Sequence, residues 1–323
     1  MVCLDAASRT PVLTALTAVA AGLERAKLPT FRTRTGVTMK LLRYGPSGQE
    51  RPAVLAAEGH ALDLGEHVDD FDPDFFDQDG LSKIRALLEA DELLRIDLRD
   101  QRLGAPISRP SQILCIGLNY ADHAAESGMD LPDEPVLFNK APNTIVGPDD
   151  DVLLPPKSER GDWEVELAVV IGRRARYLAN EDDAWAHIAG YAISNDVSER
   201  ELQLERGGQW VKGKSCETFN PLGPWLVTPN EIVDVQNLRL QLDLNGQTVQ
   251  DGTSATMVFG VAHLVWYVSQ FMVLEPGDVI NTGTPPGVGL GMHPPRYLQE
   301  GDVMELSIEG LGRQRQVVRR ASI

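Results

Sequence analysis

The sequence is poor in cysteine and in basic residues. Its three cysteines, Cys3, Cys115 and Cys216, are odd in number and share no ligand-like spacing, so we expect reduced thiols and no disulfide framework. Lysine and arginine total 30 against 47 aspartates and glutamates, which gives a formal net charge of −17. Nucleic acids and anionic membranes both require a basic footprint, so we expect neither as a partner. These features favour a cytoplasmic protein.

The apolar run near the N-terminus, PVLTALTAVAAGL, is too short to span a bilayer, which needs ~20 residues. It resembles the hydrophobic part of a signal peptide or a short amphipathic targeting segment. Asp5 lies where a signal peptide would be basic, and nothing downstream is typical of a secreted protein. We therefore favour a third interpretation, in which residues 1–38 are a loosely ordered extension and the first domain begins at Met39.

Residues 39–104 have the pattern of a small β-rich domain. The short runs MKLLRYG, PAVLAAEG and HALDLG are apolar or alternating and are separated by glycine and proline, which is typical of strands and turns. GLSKIRALLEADELLRIDL has helical spacing. GAPISRPSQ, with two prolines, is the predicted linker to a second domain over 105–323.

Residues 105–323 are predicted to be mainly strands. ILCIGL, IAGYAISND and GDVMELSIEGLG are strand candidates, and LRLQLDLNGQTVQDG predicts a hairpin at Asn245-Gly246. MVFGVAHLVWYVSQFMVL predicts a long apolar helix. SERELQLERGG predicts a short helix capped by Ser198. GTPPGVGLG lacks the Lys-Ser/Thr ending of a phosphate-binding loop. The pattern predicts an α+β fold dominated by β-structure.

Two acids open the strand candidate DWEVELAVVIG. Glu164 and Glu166 are two residues apart, so they share the strand face opposite Val165 and Leu167. At roughly 6–7 Å, two such charges repel by about 2–3 kcal/mol at an effective dielectric of 20, which water, a basic partner or a cation must offset. Asp196, at the end of the next strand candidate, could supply a third carboxylate or only terminate its strand. A ligand set of oxygens alone favours Mg²⁺ or Mn²⁺ over zinc.

A second group of polar residues lies in NYADHAAES. On a helix, His123 and Glu126 would share a face, and a carboxylate that orients an imidazole leaves its other nitrogen free to act as a base. The alternative is an exposed helical turn with no chemical role. Lys140 and Lys214 lie in polar loops, where a lysine is usually just exposed.

Six segments of this chain resemble the fumarylacetoacetate hydrolase superfamily, and they occur in the order seen there. They are ILCIGLNYADHAAE, PVLFNKAPNTIVGP, DWEVELAVVIG, GYAISNDVSERELQ, GKSCETFNPLGPWLV and INTGTPPGVG. The similarity extends from Ile113 to the C-terminus. It is greatest to the bacterial branch that hydrolyses 2,4-diketo-3-deoxy sugar acids such as rhamnonate and fuconate derivatives. The resemblance implies a mixed β-sandwich roll that forms a homodimer.

The resemblance also implies roles for individual residues. Glu164, Glu166 and Asp196 match the metal-binding carboxylates of the family. His123 and Glu126 match its water-activating pair, and Lys214 matches the lysine that stabilises negative charge on the substrate. The positions that match contacts to the substrate are Lys140, Gln203 and Thr284. Many acylpyruvase relatives have an arginine where this chain has Leu118, which leaves the far end of the substrate undefined.

The implied activity is metal-dependent hydrolysis of a carbon–carbon bond in a small anionic 2,4-dioxo acid, with release of pyruvate. Two alternatives remain at the level of the sequence. The same metal site could decarboxylate oxaloacetate or isomerise a diene acid, since neither reaction needs an attacking water. A metal-binding dimer without catalytic activity is the non-enzymatic alternative.

Overall fold

The apolar run that follows Glu164 forms a central strand of a large sheet in the computed structural model, which describes residues 39–57, 59–90, 93–122 and 131–322. In chain order the strands are β1 (Lys40–Tyr44), β2 (Arg51–Ala57), β3 (His60–Asp63), β4 (Arg95–Asp97), β5 (Leu103–Gly104), β6 (Ile113–Gly117), β7 (Val136–Lys140), β8 (Ile145–Val146), β9 (Val152–Leu154), β10 (Gly161–Asp162), β11 (Val165–Ile171), β12 (Ile188–Asn195), β13 (Ser198–Glu199), β14 (Asn220–Val227), β15 (Arg239–Leu244), β16 (Gln247–Thr253), β17 (Val279–Asn281), β18 (Val303–Ile308) and β19 (Gly312–Arg320).

The helices are short. The α-helices that lie wholly within the described ranges are α1 (Pro73–Asp77), α2 (Gly80–Ala90), α3 (Val211–Lys214) and α4 (Val261–Ser269), and a π-helix spans Glu201–Glu205. The 3₁₀ turns are Pro142–Thr144, Glu181–His187, Pro229–Glu231, Val235–Asn237, Ser254–Thr256 and Gly289–Gly291. In the parts of the chain that the structure describes, no helix is long and apolar enough to cross a membrane.

Two main sheets pack face to face. The larger sheet has the order β4-β3-β2-β1-β14-β12-β11-β17-β6-β7, with β5 beside β1 and β8 beside β14. The smaller sheet has the order β16-β15-β18-β19-β9, and β10 pairs separately with β13. The predicted α+β fold with dominant β-structure is confirmed.

The strand β11 is buried on both faces. Its odd-numbered residues, such as Val165 and Leu167, pack in the core between the two sheets, as the alternation predicted. Ala168 and Val170 point the other way, into a second core that includes Phe75 of α1. A strand buried on both sides reads as a continuous apolar run, which explains VELAVVI.

The N-terminal strands continue the large sheet, because β1 pairs antiparallel with β14 as well as with β2. The segment predicted as a linker is mostly buried: residues 104–108 and Pro110 are buried, Gln112 is partly buried, and Arg109 and Ser111 are exposed. The extension over residues 1–38 lies outside the described residues.

Two helix predictions need correction. Ser198 lies in β13 and donates a hydrogen bond to the Asp196 carbonyl, so it caps no helix, and the helical turn begins after Arg200. The apolar helix is only Val261–Ser269, because Gly260 is extended and Leu274 must bridge to Ala175. The hairpin at Asn245-Gly246 is confirmed, with both residues at positive φ (53° and 76°).

Candidate active site

Three carboxylates meet where β11 and β12 lie side by side. Glu164 immediately precedes β11, Glu166 lies within it, and Asp196 immediately follows β12. Because the strands are antiparallel and Val165 is opposite Asn195, the start of one strand is beside the end of the other. One oxygen from each carboxylate lies within 4.8 Å of the others, and all three side chains are buried. The predicted acids are therefore brought together.

Basic side chains compensate two of these acids. The Lys214 Nζ atom lies 2.8 Å from Glu164 Oε2 and 2.8 Å from Asp196 Oδ2. Arg200 Nη2 lies 2.8 Å from Glu164 Oε1. Burial alone would raise the pKa of Glu164, but the two cations outweigh it and lower that pKa to about 2. Burial alone would lower the pKa of Lys214, whereas Asp196 and Glu164 raise it. Glu164 and Lys214 are thus both charged at neutral pH.

Glu166 is different. Its Oε2 accepts a hydrogen bond of 2.8 Å from the Gly283 backbone N–H, and it forms no ion pair with any residue that the structure describes. Burial, followed by the negative charges of Asp196 and Glu164, raises the pKa of Glu166 well above its usual value. The nearby charge of Lys214 offsets this rise only in part.

These three acids fit a hard divalent cation. The donors are oxygens only, and they converge in a buried position where Glu166 forms no ion pair with a described basic residue. The Gly283 backbone supports this arrangement with a φ of 97°, and a Cβ there would lie 2.9 Å from the Asn119 Cβ. Glycine is required at this position for both reasons. The TGTP segment contains Gly283, but nothing in its pattern predicted a bond to Glu166.

Arg200 is a site residue that the sequence analysis missed. Its Nε donates to Asp162 Oδ2 at 2.7 Å and its Nη1 donates to Gln203 Oε1 at 3.0 Å, in addition to the contact with Glu164. The burial of a charged residue cannot be read from SERELQ, where alternating charge is typical of an exposed turn. Arg200 therefore links the acid cluster to Gln203, one of the predicted substrate contacts.

The remaining predicted residues fall into two groups. Gln203 and Thr284 line a cavity beside the acids. Thr284 Oγ1 donates to the Val165 carbonyl and accepts from Gln250 Nε2, so it also joins the loop after β17 to β11. Lys140 is fully buried and does not line that cavity. Its Nζ lies 2.5 Å from Asp196 Oδ1 and 3.0 Å from the Val197 carbonyl.

The cavity has a volume of about 420 Å³. Its inner end carries Glu164, Glu166 and Lys214, whereas its wall is largely apolar. The wall is made by Ile116, Gly117, Leu118, Phe138, Leu204, Trp210, Val288, Leu290 and Gly291. The Phe138 ring contacts both a charged and an apolar residue of the lining: Lys214 Nζ is 4.9 Å from its centroid, and the Trp210 ring packs edge-on at 5.2 Å.

Leu118 has a left-handed backbone, with φ of 54°, which costs about 1–2 kcal/mol in a residue with a Cβ. The neighbouring Asn119 holds this conformation. Its side chain donates to the Phe259 and Thr282 carbonyls and accepts from the Phe259 N–H, all at 3.0 Å or less. The strained backbone thus directs Leu118 to the cavity wall.

The predicted water-activating pair cannot be located. His123 and Glu126 lie outside the described residues, since the structure describes the chain up to Asp122 and again from Leu131.

Comparison with known proteins gives a consistent picture. Residues 112–319 match the profile of the fumarylacetoacetate (FAA) hydrolase C-terminal family. A Burkholderia multivorans protein, whose name assigns a hydrolase activity provisionally and no substrate, is 52% identical over 284 residues, which are 88% of this chain and 100% of the relative.

Solved structures with the same fold include three of particular interest, and each covers 88% of this chain and 100% of the other. Fumarylacetoacetate hydrolase from Exiguobacterium antarcticum is 36% identical, with a TM-score of 0.74. The 2-hydroxyhepta-2,4-diene-1,7-dioate isomerase from Mycobacterium marinum is 32% identical, with a TM-score of 0.70. Maleylpyruvate hydrolase from Sphingobium sp. SYK-6, solved with manganese(II) and pyruvate, is 26% identical, with a TM-score of 0.74. The chain therefore belongs to the fumarylacetoacetate hydrolase family.

Proposed function

We propose that this protein hydrolyses a carbon–carbon bond in a 2,4-dioxo acid and releases pyruvate, with a divalent cation as its cofactor. The observation that carries the proposal is the buried triad of Glu164, Glu166 and Asp196. Glu166 forms no ion pair within the described part of the chain and lines a cavity shared with Lys214. Such a site suits a small anion held against a cation.

The three carboxylates would hold Mg²⁺ or Mn²⁺. When bound, the cation supplies Lewis-acid polarisation of the substrate's carboxylate and oxo oxygens. We assign the proton transfer to His123, oriented by Glu126. His123 removes a proton from water as the water oxygen bonds to the 4-carbonyl carbon. The bond between C3 and C4 then breaks, its electron pair forms the enolate of pyruvate, and the proton returns to C3.

Lys214 stabilises the negative charge that develops as this bond breaks. Its ammonium lies at the inner end of the cavity, buried and already held by Glu164 and Asp196. A fixed charge in a buried site interacts more strongly with developing charge than the same group in water. Gln203 and Thr284, which line the same cavity, would contact the bound substrate.

Two relatives support this chemistry. Maleylpyruvate hydrolase was solved with manganese(II) and pyruvate, the cofactor and product classes proposed here, and the Exiguobacterium relative is also a hydrolase. Within this class, the substrate would be an acylpyruvate or a 2,4-diketo-3-deoxy sugar acid. We further propose that the protein is a cytoplasmic homodimer.

The M. marinum isomerase favours a second candidate function, which is isomerisation of a diene acid. It shares 32% identity with this chain, and its reaction would use the same acids and lysine without an attacking water. Oxaloacetate decarboxylation belongs to the same class. A metal-binding dimer without activity would bind the cation and turn over none of these substrates.

The test is a substrate panel with and without Mg²⁺, run on the parent protein, His123→Ala and Lys214→Ala. An acylpyruvate, oxaloacetate and a diene dioate would be compared. We expect Mg²⁺-dependent acylpyruvate cleavage that His123→Ala lowers by about 10²–10⁴-fold, the usual contribution of a positioned general base.

Oxaloacetate decarboxylation should survive in His123→Ala, whereas Lys214→Ala should depress both reactions. Isomerisation or decarboxylation without acylpyruvate cleavage would support the second candidate. If His123→Ala lowers both activities equally, the water-activating role is wrong.

A further inference from the structure

The outer part of the cavity carries leucines on its rim. Leu204 and Leu290 both line the cavity and remain 45% and 38% exposed. Together with the Phe138 and Trp210 rings and Leu118, they form an apolar wall. Large exposed apolar side chains at the mouth of a pocket are typical of a surface that a ligand covers.

The cations that line this cavity are already engaged. Lys214 contacts two carboxylates, and Arg200 uses Nε, Nη1 and Nη2 on Asp162, Gln203 and Glu164. Among the described lining residues, the other side chain that can carry a positive charge is His293, which is exposed at the rim. A carboxylate that met His293 there would be hydrated and weakly held.

The net charge at the inner end of the cavity favours a substrate with one carboxylate. Among the described residues this cluster contains four acids and three bases, which leaves one net negative charge when Glu166 is ionised. Three of the acids form ion pairs with the bases and Glu166 does not; the members are Asp162, Glu164, Glu166, Asp196, Lys140, Lys214 and Arg200. A divalent cation would change the balance to one net positive charge. A single carboxylate neutralises that charge, whereas a second would be left unpaired against an apolar wall.

We propose that the cavity selects a 2,4-dioxo acid whose far end is uncharged and apolar, and that it rejects one that ends in a second carboxylate. The inference rests on the proposed function and narrows its substrate class. It separates this chain from the M. marinum relative, whose name specifies a 1,7-dioate. Leu118, Leu204 and Leu290 are the residues that determine this selectivity.

The test uses two matched pairs of ligands. The first pair is 2,4-dioxoheptanoate and 2,4-dioxoheptanedioate, which differ only in the terminal carboxylate, and its readout is kcat/KM with Mg²⁺. The second pair is 2-oxoheptanoate and 2-oxoheptanedioate, which lack the 4-oxo group and cannot be cleaved, and its readout is Kd by calorimetry. We expect the monoacid to be favoured by at least about 100-fold in each pair, because the dioate buries an unpaired charge.

Variants test the assigned wall directly. Leu290→Arg and Leu118→Arg each place a cation on the wall, and each should reduce the preference for the monoacid by about 10-fold or more. Leu94→Arg is the matched control, since Leu94 is 66% exposed and does not line the cavity. It should leave both ratios unchanged.

The outcomes distinguish the two proposals. If the dioate of each pair is used or bound as well as the monoacid, the apolar-end inference is wrong and the proposed hydrolysis still stands. If neither dioxo acid is cleaved while the 2-oxo monoacid still binds more tightly than its dioate, the selectivity stands and the proposed hydrolysis is wrong. If the preference for the monoacid over the dioate is the same in Leu290→Arg, Leu118→Arg and the parent, the apolar wall does not determine the selectivity.

Discussion

The Lys140 ammonium lies 2.5 Å from the Asp196 carboxylate, and neither side chain has exposed surface. Lys140 was predicted to lie near the substrate; its side chain is fully buried and is not among the residues that line the cavity. A lysine in this position fixes the orientation of Asp196 and offsets part of its charge. Through Asp196 it would therefore affect metal binding.

Replacing Lys140 with methionine tests this arrangement. Removal of one partner of a buried ion pair leaves the other unpaired, so we expect Lys140→Met to lower the free energy of unfolding of the metal-free protein by about 3–5 kcal/mol. Urea unfolding in EDTA measures this. Added Mg²⁺ should raise the melting temperature of the variant more than that of the parent, because Asp196 has lost a competing cation.

Lys212→Met is the matched control, since Lys212 is exposed, and it should change stability by less than about 0.5 kcal/mol. A smaller Mg²⁺ response in Lys140→Met than in the parent would show that Lys140 does not compete for Asp196.

Glu166→Gln should separate the metal site from the fold. Its carboxylate lies within 4.8 Å of like charges, so removing its charge should stabilise the metal-free protein by up to about 3 kcal/mol, the Coulomb repulsion of such a pair at an effective dielectric of 20. Mg²⁺ binding should weaken and Mg²⁺-dependent activity should be lost. Thermal melts in EDTA and Mg²⁺ titrations measure both.

The same variant predicts a pH dependence. The pKa of Glu166 is raised in the folded protein, so ionisation is penalised there and the parent loses stability as pH rises from about 4.3, the unfolded value, through the raised pKa. Glutamine does not titrate. The stability gained by Glu166→Gln should be near zero at pH 4 and should increase toward pH 8. A variant less stable than the parent at pH 8 in EDTA would assign Glu166 a structural role.

Leu118→Gly should be unusually well tolerated. Glycine removes the left-handed strain of about 1–2 kcal/mol, which offsets the greater entropy of the unfolded chain, so stability should change by less than about 1 kcal/mol. Leu114→Gly, at a buried position of β6, should cost about 3–5 kcal/mol. Urea unfolding of both variants measures the difference. A similar loss in the two would mean that Leu118 packs as a core residue.

A chain that begins at Met39 should fold and turn over like the full chain. The described strands begin at Lys40, and β1 completes its pairing with β2 and β14 within residues 40–227. We expect the free energy of unfolding to agree to within about 0.5 kcal/mol, and analytical ultracentrifugation should show the same oligomeric state. Aggregation or loss of the oligomer would show that residues 1–38 pack on the body.

Local sequence patterns predicted some contacts of the site, whereas contacts that depend on how the strands are arranged could not be predicted in this way. Alternation placed Glu164 and Glu166 together, and Asn245-Gly246 identified its hairpin, because both signals are local. The partners of Lys140 and Arg200 depend on which strands become neighbours, and no local pattern encodes that. The resemblance identified Asp196 with the two glutamates, while the antiparallel pairing of β11 and β12 supplies the physical reason for their approach.

The position of β17 affects the order in which the molecule can assemble. This late strand pairs antiparallel with β11 on one side and parallel with β6 on the other, and Gly283 lies two residues after its end. During synthesis, β6 and β11 would emerge with unpaired edges long before the strand that fills the gap between them. Unpaired edges of apolar strands promote aggregation, and such distant pairing slows folding. We therefore expect the nascent chain to depend on chaperones until residue 284 has left the ribosome.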